Sequence, residues 1–393
     1  MRKALPDPHL PAVARRMERV SSFLAMDVLS AAAAKERRGD SVIHMEVGQP
    51  SAPAPRAARE AAKAALDLGR IGYTEALGLQ PLRERIARHY RDSYGVSVAP
   101  ERVIVTTGSS AGFVLAFLSL FDPGQRIAIT APGYPAYRNI MEALDLEPVV
   151  IPLAAADGWI MTAEAVAIAH AEKPLHGILA MSPANPSGTM IGRDALAELG
   201  SLCRRLGLWF ISDEIYHGLT YAAPASTALS SDEDAIIINW FSKYYCMTGW
   251  RIGWMVVPER VVRPIERLAQ NLYISPPYLS QVAALAAFDA TDELEAVKEG
   301  YARNRAILLQ ELPRIGIADM HPVDGAFYIY ADIARYTNDS IQFCKRMLEE
   351  TGVAATPGLD FDPVQGAHYL RVSFAGSEND CRETISRLAG WLK

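Results

Sequence analysis

The chain has 393 residues, half of them hydrophobic, and a formal net charge of -6. That length can bury a large core and leaves room for two or three domains. Acidic and basic residues are interspersed with no basic stripe or tail, which argues against a nucleic-acid partner. The four cysteines, Cys203, Cys246, Cys344 and Cys381, lie far apart and form no CxxC pair, the pattern of reduced thiols in a reducing compartment. The opening MRKALPDPHLPAVARRMERV lacks the apolar core of a secretory signal. The most apolar runs, such as AGFVLAFLSLF, are about half as long as a membrane span. A cytoplasmic protein with no membrane association is expected.

Residues 14–38 read as a helix rich in alanine and charge, ending at Gly39. A short strand in VIHMEV then gives way to the proline-rich QPSAPAP. Arg56–Leu68 is helical, IGYTEALG a glycine-rich turn, and LQPLRERIARHYRDSYG an amphipathic helix with proline near its first turn. RVIVTTG is a β-branched strand, SSAGFVLAFLSLF a helix directly after it, and RIAIT a strand. HGILAMS, LWFISDE, AIIINWF and RIGWMVVP are further short strands, and ALAELGSLCRRLG supplies a helix before LWFISDE. Strands alternating with helices imply crossovers and a largely parallel sheet covered on both faces. After about residue 285 helices over Asp292–Glu311 and Ser340–Glu350 mix with strands in GAFYIYADI and HYLRVSFA, the texture of a smaller α+β unit.

The chemistry-bearing residues stand at strand ends. Lys243 lies in NWFSKYYCMTGWRIGWMVVP, between a strand and a Gly-Trp-Arg-Ile-Gly-Trp cluster. TTGSSAG joins a strand to a helix, where free N–H groups and the helix dipole favour an anion. Asn185 sits between two prolines in SPANPSG, after a buried strand. Asp213 and Glu214 end the strand of ISDEIYHG, as holders of a cation or protonated ring nitrogen or as a helix cap, and Tyr216 follows. Arg371, inside HYLRVSF, needs an anion, either a ligand carboxylate or an internal one. A lysine able to form a Schiff base, an acid for a pyridinium nitrogen, a phosphate cradle and an arginine for an α-carboxylate together make the site of a pyridoxal phosphate enzyme.

On YTEALGLQPLR, SPANPSG, SDEIY, SK followed by GWRIG, and LRVSFA, the sequence resembles the class I/II aminotransferases, the aspartate aminotransferase-like family of fold type I. The resemblance covers nearly the whole chain. It implies an α/β fold with a large doubly wound, mainly parallel, seven-stranded domain over residues 50–285. Residues 1–49 and 286–393 would form the smaller α+β domain. Lys243 then matches the Schiff-base lysine that also shuttles the proton of the substrate Cα. Asp213 matches the partner of the pyridine nitrogen, and Asn185 and Tyr216 the groups that hydrogen-bond the ring oxygen. Ser109, Ser110, Ala111 through its backbone N–H, Ser242 and Arg251 match the phosphate holders, and Tyr134 the aromatic stacked on the ring. Gly48 matches the loop glycine beside the substrate, and Arg371 the arginine that grips its α-carboxylate. Tyr73 matches a tyrosine that crosses a dimer interface to the neighbour's phosphate, which implies a homodimer with shared sites.

The activity so implied is transfer of an amino group from an L-amino acid to a 2-oxo acid, with 2-oxoglutarate as the expected acceptor, in ping-pong order. A C–S β-lyase, a decarboxylating relative or another pyridoxal phosphate enzyme of the same fold would share every residue named. An aminotransferase-like sensor domain of a transcription regulator would need a DNA-binding domain ahead of the fold, and fewer than fifty residues precede Gly48. Ser110 stands where one aspartate-using subgroup carries a lysine for the side-chain carboxylate, so a specialised aspartate enzyme is not implied. No metal site is expected: the histidines show no HExxH and no Cys/His cluster. His217, beside Tyr216, is either structural or substrate-lining. The substrate side chain is expected against loops, the N-terminal helix around Phe23 and Met26, and the other subunit. Trp250 and Trp254 are expected to pack.

Overall fold

The computed structural model describes residues 13–392. Residues 1–12 and 393, assigned above to the smaller domain, lie outside the described residues. Helix α1 (Leu24–Arg37) and strand β1 (Ile43–His44) are followed by helices α2 (Arg56–Asp67) and α3 (Gln80–Tyr94). Then β2 (Val103–Thr106), α4 (Ser109–Leu120), β3 (Arg126–Ala131), α5 (Pro135–Ala143), β4 (Glu147–Pro152), α6 (Ala163–Glu172), β5 (Gly177–Met181), α7 (Arg193–Leu206) and β6 (Trp209–Asp213) alternate. Strands β7 (Ile236–Trp240) and β8 (Gly253–Val256) precede helices α8 (Glu259–Leu272), α9 (Tyr278–Ala287) and α10 (Thr291–Glu311). The chain closes with β9 (Tyr328–Asp332), α11 (Ser340–Thr351), β10 (Val353–Ala354), β11 (Thr356–Pro357), β12 (Tyr369–Ser373) and α12 (Glu378–Trp391).

Seven strands make one sheet in the order β2-β8-β7-β6-β5-β3-β4. Only β8 runs against its neighbours, pairing antiparallel with both β2 and β7. Alternate side chains feed cores on opposite faces. Val103, Val105, Phe210 and Ile237 join one, while Ile104, Ile211, Ile236 and Ile238 join the other. That two-sided burial is why these strands read as continuous apolar runs. β9, β11 and β12 form a separate three-stranded antiparallel sheet, and β1 pairs parallel with β10. Leu308, Phe327, Ile329, Met347, Val372 and Leu388 share a third core there.

One expected helix is broken, and two elements outside the sequence reading carry prolines. The helix expected over 14–38 is a short 3₁₀ turn, Arg15–Glu18, then extended chain, then α1. Its start is set from a distance, because Asp360 accepts hydrogen bonds from the N–H groups of Leu24 and Ala25. β4 is an edge strand with prolines at Pro148 and Pro152, where a missing donor costs no ladder bond. α8 contains Pro264, yet Val261, Ile265 and Ala269 bury one continuous stripe, and that packing outweighs the proline.

Candidate active site

The carboxyl ends of β2, β3, β5, β6 and β7 all open on one edge of the large sheet, and the antiparallel β8 begins there. The loops after them meet residues of the β9-β12 sheet around a cavity of about 410 Å³. Lys243, Asp213, Asn185, Tyr216, Arg251 and Arg371 all line it.

Lys243 follows β7 by three residues, and its Nζ donates to the carbonyl of Gly48 at 2.5 Å. Burial, then the positive charges of Arg371 and Arg251, push the amine down to about 7, against a smaller opposing pull from Asp213. A lysine so placed is substantially neutral near pH 7, the form that attacks carbonyls.

Asp213 ends β6 and is almost wholly buried. Its Oδ2 accepts from the Tyr137 hydroxyl and its Oδ1 from the N–H of Ile215 at 3.1 Å. Burial lifts the carboxyl to about 6, although both hydrogen bonds and the Lys243 charge oppose the rise. Tyr134 lies on the same wall, edge-on to Tyr137 at 5.3 Å and to Phe23 at 5.8 Å. Glu214 points elsewhere: it accepts from Thr227 Oγ1 and the N–H of Ala228, and burial raises it to about 8.

At the start of α4 the donors are gathered without acceptors. Gly108 adopts φ +91°, and a Cβ there would lie 2.8 Å from an Arg251 guanidinium nitrogen. Ser109 Oγ, Ser242 Oγ and Trp240 Nε1 are buried with no hydrogen-bond partner. The first-turn N–H groups of Ser109, Ser110 and Ala111 have no carbonyl to bond within the helix. Arg251 reaches this point from a left-handed residue (φ +50°), steadied by NH1 donating to the Thr248 carbonyl at 3.1 Å. Such a cluster suits a multiply charged oxyanion.

Arg371, in the centre of β12, is only 2% exposed. Its NH1 donates to Asn185 Oδ1 at 3.0 Å, and its NH2 to the Glu46 carbonyl and to Thr356 Oγ1. The guanidinium lies over the rings of Tyr328 at 4.4 Å and Phe361 at 4.6 Å. Its Nε has no partner, and among the described residues no carboxylate pairs with it. The internal ion pair left open by the sequence is therefore absent from the described residues. Tyr216 exchanges a hydrogen bond with the Tyr328 hydroxyl at 2.7 Å. Gly48 packs on that hydroxyl so closely that a Cβ would come within 1.7 Å of it.

Two expected residues lie apart. Tyr73 is 82% exposed on the loop before α3, outside the cavity. His217 turns away from it, its Nδ1 against the Tyr94 hydroxyl at 2.8 Å, with burial lowering its pKa to about 3. Trp254 is buried and donates to the Tyr90 hydroxyl at 3.1 Å, a packing role. Sequence reasoning did not single out Tyr137, Tyr328 or Trp240. Tyr137 had one signal: it follows Tyr134 by three residues on a helix that opens with proline.

A nucleophilic lysine, a buried acid, an oxyanion cradle and an unpaired arginine around one cavity define an enzyme acting on small carboxylate-bearing molecules. A family model, aminotransferase class I and II, matches residues 40–388. The valine–pyruvate aminotransferase of Mycobacterium tuberculosis is 46% identical over 95% of this chain and 97% of its own length. The crystal structure of an aminotransferase from the same organism aligns with a TM-score of 0.94 at 46% identity, covering 98% of this chain and 99% of that one. The aspartate aminotransferase of Thermus thermophilus with maleate aligns with a TM-score of 0.91 at 28% identity, covering 97% and 100%. The chain belongs to the class I and II aminotransferases and has their fold type I architecture.

Proposed function

We propose that this aminotransferase uses pyridoxal phosphate to move an amino group, in ping-pong order, from an L-amino acid with an apolar side chain to a short 2-oxo acid. The single observation that carries this is Arg371, buried at the cavity with no carboxylate partner among the described residues while its Nε is free. A ligand α-carboxylate meets that need.

The cofactor fits the residues present. The orphaned hydroxyls of Ser109 and Ser242, the Trp240 indole and the Arg251 guanidinium suit its phosphate. Asp213 suits its ring nitrogen, Asn185 and Tyr216 its ring oxygen, and Tyr134 its face. When bound, the cofactor supplies an electron sink for the bonds at the substrate Cα. Lys243 would hold it through Nζ and, as a free amine, would carry the proton at the substrate Cα. Asp213, held by Tyr137 and Ile215, keeps a negative charge in place. Arg371 orients the α-carboxylate, with Gly48 beside it.

Phe23, Ala25, Met26, Leu29 and Val47 give the cavity an apolar lining, with Glu46 and Gln49 beside Val47 and Gly48. The relative from Mycobacterium tuberculosis is named for valine and pyruvate, in keeping with such a lining. Among the described residues the cations lining the cavity are Lys243, Arg251 and Arg371, and each already has a task. 2-Oxoglutarate, expected from the sequence, has a second carboxylate that none of these three is left to meet within one subunit, which favours pyruvate as the acceptor unless the second subunit supplies a cation. A panel of amino donors, scored by the spectral change of the first half-reaction and then by acceptor, tests this. Faster turnover with aspartate or glutamate than with valine would overturn the donor class. Pyruvate and ammonia released from a sulfur amino acid without any acceptor would replace transamination by β-elimination.

The assembly proposed is a homodimer. Leu66, Leu68, Ile71 and Tyr73 are exposed beside Leu272 and Ile274, and the Thr74 N–H to Ser275 Oγ bond at 3.2 Å ties the two segments together. A second copy would cover this apolar area and take Tyr73 to its own phosphate cradle. Residues 50–285 would form the cofactor-holding domain, and 1–49 with 286–393 the domain that carries Gly48 and Arg371. The four cysteines are buried and unpaired, which supports a reducing, cytoplasmic setting.

A further inference from the structure

Helix α1 begins without a cap of its own. The residue before it is Phe23, in extended conformation, whose side chain offers no acceptor. Its first N–H groups are instead held by one carboxylate more than 330 residues away: Asp360 Oδ1 accepts from Leu24 and Oδ2 from Ala25, both at 3.0 Å. Asp360 is buried.

The turn that carries Asp360 touches the rest of the site. Phe361 lies beneath the Arg371 guanidinium, and its carbonyl accepts from the N–H of Gly133, next to Tyr134. The turn is itself rigid. The Phe361 N–H bonds the Gly358 carbonyl at 2.9 Å, and Gly358 packs against the Gly366 carbonyl at a spacing that admits no Cβ. On the other side of the clamp, Phe23, Met26 and Leu29 of the α1 segment line the cavity. One turn thus fixes the distance between the arginine for the carboxylate and the wall that a substrate side chain would meet. The remaining ties of this segment are weaker. Asn139 Nδ2 donates to the Ser21 carbonyl at 3.2 Å, and Arg16 and Arg19 pair with Asp145 on the surface.

We propose that Asp360 is a positioning residue for side-chain selectivity, clamping the start of α1 so that Phe23 and Met26 wall the substrate pocket. Asp360 itself is not among the residues lining the cavity. The proposal rests on the aminotransferase reading of the cavity. A donor with a branched apolar side chain reaches the wall, whereas alanine does not.

In the holoenzyme, Asp360→Ala should raise KM for valine and isoleucine about two- to thirty-fold, the span of a lost helix cap, and Asp360→Asn, which keeps one acceptor, should raise it less. KM for alanine and kcat for all three should change less than about twofold. Hydrogen exchange at the amides of 24–29 should quicken, in protein with or without cofactor. Met26→Ala, which leaves the clamp intact, should give the same split between valine and alanine, and adding Asp360→Ala to it should cost little more. An equal rise in KM for alanine and valine, or unchanged exchange over 24–29, would overturn the proposal. Should the Asp360 variants fail to fold, Met26→Ala decides: an unaltered valine-to-alanine ratio sinks it. If the unmodified protein transaminates no donor while exchange at 24–29 still depends on Asp360, the functional reading has failed and the clamp is structural only.

Discussion

Arg371→Gln removes the charge and the fork at the centre of the site. Three of the guanidinium's donors are spent on Asn185, Glu46 and Thr356, Nε is buried without a partner, and the residue lines the cavity. A bound carboxylate would take guanidinium N–H groups in exchange for part of these protein contacts. Such a charge-assisted pair in a desolvated site is worth about 2–4 kcal/mol, so apparent affinity for an amino acid should fall roughly thirty- to a thousand-fold. The charge has a second effect. After burial, Arg371 is the largest influence holding Lys243 near 7, so its loss should raise the pH at which the amine becomes neutral. Arg371→Lys should separate the two, keeping the charge and the titration near 7 but losing the fork. The assay is the rapid half-reaction with an amino acid and with a simple alkylamine, each from pH 6 to 9. The loss seen with Arg371→Lys, which keeps the charge, reports the lost fork apart from the amine effect. Equal losses for amino acid and alkylamine in that variant would refute a carboxylate role and leave Arg371 as a structural cation.

Lys243→Ala should still bind the cofactor through the phosphate cradle but lose turnover by several orders of magnitude; borohydride reduction of the unmodified protein should label Lys243, and a label on another lysine would sink the assignment. Gly48→Ala puts a methyl where the Tyr328 hydroxyl stands, so Tyr328 must leave Tyr216, and kcat/KM should drop by about tenfold or more, the value of one buried hydrogen bond with the accompanying shift; unchanged kinetics would show that the Tyr216–Tyr328 pair is dispensable. Tyr73→Asp and Lys243→Ala, each inactive alone, should regain roughly a quarter of native activity when unfolded, mixed and refolded, because random pairing makes about half the dimers mixed and each has one intact composite site; no recovery despite proven mixed dimers would confine Tyr73 to its own chain.

Residues whose place follows from local chain geometry were readable in the sequence. Asp213, Asn185 and Lys243 follow strand ends, and strand ends of a parallel sheet share one edge, so naming the strands was nearly enough to gather them. Arg371 was readable as a buried charge, but its partner was not, because only tertiary structure shows Asn185, Thr356 and the Glu46 carbonyl around it. Tyr137, Tyr328 and Asp360 fall wholly in that second group. Each acts through a group more than seventy residues distant, namely Asp213, Tyr216 and the start of α1. The same cause broke the helix expected over 14–38. Alanine and charge favour helix on either side of Val20–Phe23, and a remote carboxylate caps α1 where it begins.

The cations of the site serve two ends at once. Arg251 stands beside Gly108 at the start of α4, Arg371 lines the cavity, and both lower the affinity of Lys243 for its proton. With neither anion present, the lysine is therefore close to neutral and fit to attack a carbonyl. An oxyanion at Arg251 and a carboxylate at Arg371 would cancel those two charges while leaving Asp213, whose influence on Lys243 has the opposite sign. The amine released in a filled site should then hold a proton more firmly than the amine of the empty one. That order suits the two tasks: a nucleophile before the ligands arrive, and a carrier of the Cα proton once they are in place. Phosphate or sulfate together with a simple carboxylate should accordingly raise the titration midpoint of Lys243 in cofactor-free protein, and Arg371→Gln should abolish the carboxylate's share of that rise.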